Sequence, residues 1–104
     1  MSIQNTVLGV TAANIFVGSG SLGSAISTMY FCNRSATLTT FSLYVVPAGF
    51  SANANNIVYS NKAVTSNDTY VVDLEKLFLG PSDTIQAVAN TGNAIVATIS
   101  SIGV

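Results

Sequence analysis

The sequence predicts an all-β chain folded as a single antiparallel β-sandwich, jelly-roll-like or Ig-like, of about seven or eight short strands over residues 1–104. Three observations carry this expectation. Apolar and polar residues alternate with period two in segments rich in Val, Ile, Thr, Tyr and Phe; turn-forming clusters interrupt the chain at short intervals; and no helical periodicity of useful length lies between them. At 104 residues and 10.7 kDa the chain is long enough to close one core and too short for two.

Taken in order, strands are expected near 5–10, 13–17, 25–33, 37–46, 56–60 and 69–73, with two more near 85–90 and 95–100. Breaks fall at Gly18-Ser19-Gly20, Pro47-Ala48-Gly49, Ser66-Asn67-Asp68 and Gly80-Pro81-Ser82, where Gly, Pro, Asn and Asp supply turn geometry. In 37–46, Phe41, Leu43 and Val45 alternate with Ser42, Tyr44 and Val46, so the first three are expected inward. Ile85, Ala87 and Ala89, and Ile95, Ala97 and Ile99, form two further apolar stripes, expected to pair as a hairpin across Asn90-Thr91-Gly92-Asn93. Ile26, Phe31, Phe41, Leu43, Val45, Ile85, Ile95 and Ile99 make the expected core. Only Asp73–Leu79 reads as one helical turn, and residues 1–11 form a candidate N-terminal arm, since residues 1–24 carry no charge.

Composition narrows function. Hydrophobic residues make up 49% of the chain and charged residues 7%, against a usual charged share of roughly a quarter. The polar remainder is 13 Ser, 11 Thr and 10 Asn, and net charge is −1, so little repulsion separates copies. Six of the seven charges lie between Lys62 and Asp83; the other is Arg34. Three basic residues cannot build a nucleic-acid stripe or a polybasic membrane patch, so neither partner is expected. With no His and the single Cys32, the common zinc sites, Cys-His pairs and Ser-His-Asp triads are unavailable. No catalytic residue, metal or cofactor is expected. The opening MSIQNTVLGV lacks a positive n-region, and no stretch approaches the roughly 18 apolar residues of a membrane span, so a soluble, uncleaved chain is expected.

Several motifs compete with blander readings. Gly18-Ser-Gly20-Ser-Leu-Gly23 spells G-x-G-x-x-G, but a β-leaning stretch follows it and the first acid is Asp68, so it reads as a strand connection. Asp73 and Glu75 could form a carboxylate pair; Lys76 beside them and the absence of Trp favour solvated charges. Cys32 amid Met29, Tyr30 and Phe31 reads as an inert, buried small hydrophobe. Asn33-Arg34-Ser35 and Asn67-Asp68-Thr69 match the glycosylation sequon and read as turns. Arg34 either caps its own turn or, with its fork of donors, meets a neighbouring chain. Tyr30, Tyr44, Tyr59 and Tyr70 are candidates for interface contacts, or for a receptor- or carbohydrate-binding surface.

Tyr30-Phe-Cys-Asn-Arg-Ser-Ala36, then Phe41 and Val46-Pro-Ala-Gly49, followed by Asn67-Asp-Thr-Tyr70, Asp73-Leu-Glu-Lys-Leu77 and Gly80-Pro-Ser-Asp-Thr-Ile-Gln86, resemble a pattern in small β-sandwich virion structural proteins of tailed bacteriophages. The resemblance spans about residues 26–90. Where that pattern has a Thr-Val-Pro-Ala-Gly-like segment before the first strand, this chain has Val17-Gly-Ser-Gly-Ser21. The resemblance implies a non-enzymatic virion component assembled in the host cytoplasm and present in many copies. The expectation is a capsid decoration or cement protein, with a tail, neck or baseplate component as the alternative. Its partners would be copies of itself and the major capsid protein or tail proteins of the same particle.

Overall fold

The computed structural model describes residues 2–18, 23–72 and 77–103. Nine strands run in chain order: β1 (Ser2–Val7), β2 (Ala13–Val17), β3 (Ser24–Asn33), β4 (Thr39–Val46), β5 (Ile57–Val64), β6 (Thr69–Val72), β7 (Leu77–Leu79), β8 (Thr84–Ala89) and β9 (Ile95–Gly103). They form two antiparallel sheets. Sheet A has the order β1-β9-β3-β6, with β7 also on β3; sheet B has the order β2-β8-β4-β5. The chain passes repeatedly between layers, and both ends of it wind around the β3–β4 centre, which is the jelly-roll form of the expected sandwich.

The core lies between the sheets. Phe31 from β3 and Phe41 from β4 stack across the gap, with centroids 4.3 Å apart and planes 12° from parallel. Each faces a small partner within its own sheet, Phe31 beside Ala97 and Phe41 beside Ala89. Large against small lets the layers interdigitate. Ile26, Leu43, Ile85, Ile95 and Ile99 are buried as expected, joined by Leu8, Ile15, Met29 and Val72. Val45 is only half-buried, near the end of β4, whereas Val46 on the opposite side of that strand is fully buried.

Three expectations are corrected. Strands β8 and β9 are not a hairpin, because β8 pairs β2 and β4 in sheet B while β9 pairs β1 and β3 in sheet A. Both carry a buried Ile/Ala stripe, Ile85, Ala87 and Ala89 in one layer and Ile95, Ala97 and Ile99 in the other. Leu77–Leu79 forms β7 rather than the end of a helical turn; Asp73–Lys76, including the Asp73/Glu75 pair, lie outside the described residues. Ser42 is buried and its Oγ accepts the Asn61 N–H at 3.1 Å, where a bulge in β5 turns the backbone to φ 52°. An outward-facing Ser that satisfies a bulge is part of the fold rather than a neutral surface position.

Residues 2–7 of the candidate arm lie along β9 of their own chain. The segment then continues to the second layer: Leu8 N–H donates to Ile95 O, and Gly9 O accepts from Ala89 N–H. Gln4 Nε2 donates to Ile15 O of β2, closing that edge of the sandwich.

Candidate functional site

Strand alternation and topology distribute the five sequence-predicted residues over four places. Tyr30 projects from the centre of sheet A's outer face. Tyr44 sits half-buried on the outer face of sheet B, beside Gln86 and Ile57. Only Tyr59 and Tyr70 meet. They come from β5 and β6, the edge strands of opposite sheets, and touch edge to face with centroids 5.7 Å apart, both tilted on Phe41. Lys62 Nζ stands 4.6 Å from the Tyr70 ring centroid. The hydrogen bond to Tyr70 holds the Tyr59 phenol above its ordinary range, with burial and repulsion from Tyr70 adding to the effect. This cluster closes the open β5/β6 edge and fits a structural role.

Arg34 caps a turn, though not its own. Its Nε donates to Asn93 O at 2.9 Å and its backbone N–H to Ala94 O, which ties the β3–β4 connection to the β8–β9 connection. Next to it, fully buried Asn33 donates from Nδ2 to Thr37 O and Val64 O. Its Oδ1 accepts from the Ser35 N–H and Oγ. With both amide ends engaged, Asn33 is a turn organiser, and its sequon presents no free amide. The G-x-G-x-x-G glycines likewise have a packing reason. A Cβ on Gly18 would lie 2.2 Å from Gly80 O, and one on Gly23, at φ +99°, would lie 2.0 Å from Leu79 O. The middle glycine, Gly20, lies outside the described residues.

The feature that residue-by-residue reading missed is the outer face of sheet A. Cross-strand register sorts its outward side chains into four rows. They are Ile3, Ser100 and Thr28; Asn5, Thr98, Tyr30 and Val71; Val7, Val96, Cys32 and Thr69; and Ile102, Ala25 and Phe78. Among the described residues none of these is charged. Of the eleven exposed large apolar side chains among the described residues, six lie here: Ile3, Val7, Tyr30, Val71, Phe78 and Ile102, with Ile3 70% and Phe78 57% exposed. Thr98 Oγ1 donates to Asn5 Oδ1 at 2.8 Å, so part of the polar content is already paired within the face. Cys32, expected in the core, is half-buried on this face because alternation turns Phe31 inward and its neighbour out. The sequence signal was present in Val96, Thr98, Ser100 and Ile102, an outward row with apolar ends, but which row shared its face could be known only from strand order.

Among the described residues no group of three or more His, Cys, Asp or Glu comes together, and Asp83 spends its carboxylate on the Ala48 and Gly80 N–H groups.

No protein-family model and no curated protein matches the chain. Among solved structures, it is similar to a chain from Bacillus endospore appendages, described as forming "a novel family of disulfide-linked pili". The TM-score is 0.53 and the identity 15%, covering 99% of this chain and 84% of that one. At that identity the likeness is one of fold, and the chain is accordingly an antiparallel β-sandwich built on the same general plan as that appendage chain.

Proposed function

We propose that this chain is a non-enzymatic structural subunit, held in a repeating assembly by apolar and uncharged hydrogen-bonded contacts. The observation that carries the reading is the outer face of sheet A, which among the described residues has no charge and six exposed large apolar side chains. A face of this kind loses little on leaving water, because it carries no ion to desolvate. Its contacts are scarcely weakened by salt. Within this class the reading adopted is a bacteriophage virion component, a capsid decoration or cement protein, supported by the sequence resemblance over residues 26–90. The test is immunogold labelling of intact particles followed by electron microscopy. Label spread over the capsid is expected; label absent from particles overturns the virion reading.

A second reading is favoured by the fold comparison. The appendage chain, described as belonging to disulfide-linked pili, makes a fibre subunit the alternative. Cys32 then becomes a candidate for covalent linkage between copies. Non-reducing electrophoresis separates the two: a thiol-sensitive ladder supports the fibre, and a single band under oxidising conditions removes it.

A further inference from the structure

We infer that the outer face of sheet A docks on the same face of a second copy of this chain, sheet to sheet, about a two-fold axis lying between them. This rests on the reading as an assembly subunit and names the surface and partner it uses. Charge chooses the partner's chemistry. A charged partner would surrender hydration against Ile3, Tyr30, Val71, Phe78 and Ile102 and gain no ion pair from the described residues. Among the described residues an identical face brings no like charges together, and it offers apolar and hydroxyl rows of the same spacing, which an isologous contact can interleave.

Area supports the same partner. The strands of sheet A, with 6 residues in β1, 9 in β9, 10 in β3 and 4 and 3 in β6 and β7, stand about 4.8 Å apart and rise about 3.3 Å per residue, and so cover roughly 500 Å². Two copies then remove about 1,000 Å² from solvent, the threshold for a biological interface and the range of weak, transient contacts, so a weak, reversible dimer is expected. Aligned packing of twisted sheets, about 10 Å apart with strands crossing near 30°, is the geometry such a contact would take.

Sedimentation equilibrium of the full chain, from micromolar to millimolar concentration, tests this. The wild type is expected to pass from monomer to dimer. The double variant Tyr30→Lys/Ile102→Lys sets like charges against each other across the axis, and its dimer should be weaker by about 100-fold or more. Val17→Lys, at an exposed apolar position on sheet B's outer face, should stay within about threefold of wild type on the same scale. Circular dichroism identical to wild type establishes that the variants fold; the milder pair Tyr30→Ser/Ile102→Thr should weaken the dimer about tenfold if the lysines unfold the chain. A wild-type dimer indifferent to the face variants overturns the docking surface while leaving self-assembly intact. A strict monomer overturns the inference outright, and particle labelling then decides whether the assembly reading survives.

Discussion

The two sheets contribute comparably to the interior and differently to the outside. Sheet A supplies Ile26, Met29, Phe31, Ile95 and Ile99 to the core, and sheet B supplies Phe41, Leu43, Ile85 and Ala87. Their outer faces diverge. Sheet B turns out Asn14, Thr84, Gln86, Thr40, Ser42 and Tyr44, with Val17 its exposed apolar residue on β2, and it has three register shifts. Sheet A turns out Ile3, Val7, Tyr30, Val71, Phe78 and Ile102 and has one register shift along the β3–β9 pair. Composition alone does not separate a core stripe from an exposed one. Both are apolar rows of period two, and only the layer on each side tells them apart.

The largest expected effect tests the comparable contributions to the interior. Phe31→Ala and Phe41→Ala each remove one ring of the central stack and should each destabilise by about 3–5 kcal/mol in urea unfolding. A loss confined to one of them would break the symmetry assigned to the core.

Next comes the tie between sheets. Asn33, at the end of β3, bonds Val64 O on β5 and the Thr37 and Ser35 backbone. Asn33→Ala leaves those partners unsatisfied in a buried site, a cost of about 2–4 kcal/mol. A change under 1 kcal/mol, about the worth of a single average hydrogen bond, would mean that water replaces the amide.

The outer faces are separated by a smaller pair of substitutions. Ser42→Ala on sheet B removes the acceptor for the Asn61 bulge and should cost about 1 kcal/mol. Thr28→Ala, outward on sheet A with no such duty described, should stay within about 0.5 kcal/mol. Thermal denaturation resolves the two, and equal shifts would erase the distinction between a folded-in hydroxyl and a free one.

The smallest effect lies at the β5/β6 edge, where the sheets meet. Tyr59 titrates above its ordinary 10.0 because its neutral form is hydrogen-bonded to Tyr70 and partly buried. A raised folded-state value means that the native state holds the proton more tightly. Its contribution is thus complete below pH 10 and is lost as pH climbs through the raised value. Stability measured against alkaline pH should fall less steeply in Tyr59→Phe than in wild type.

Much of this was legible beforehand. Phe41 and Leu43 inward and the Ile85 and Ile95 stripes follow from alternation, because a half-buried strand has only one way to place such a row, whereas the first strand runs Ser2–Val7 rather than near 5–10 and Leu77–Leu79 gave no strand signal. What alternation cannot supply is which strand lies beside which. That is why β8 and β9 looked like a hairpin, and why Tyr30, Val71 and Phe78 were not recognised as neighbours. Short-range polar duty was equally hidden: nothing local in Phe41-Ser42-Leu43 announces a bulge nineteen residues away at Asn61. Arg34 shows the intermediate case, since its residue type promised a contact to carbonyl oxygen and the fold selected Asn93 to provide it.

If uncharged contacts through the outer face of sheet A hold copies of this chain together, their association is insensitive to ionic strength. Raising salt from about 0.1 M to about 1 M contracts the Debye length from about 10 Å to about 3 Å and abolishes attraction between exposed charges. Sedimentation of the self-associated protein should show the same dimer, or a tighter one, in high salt. It should show dissociation in urea below the unfolding transition, because urea solvates apolar and peptide groups. Dissociation by salt alone, at neutral pH and without denaturant, would contradict the claim.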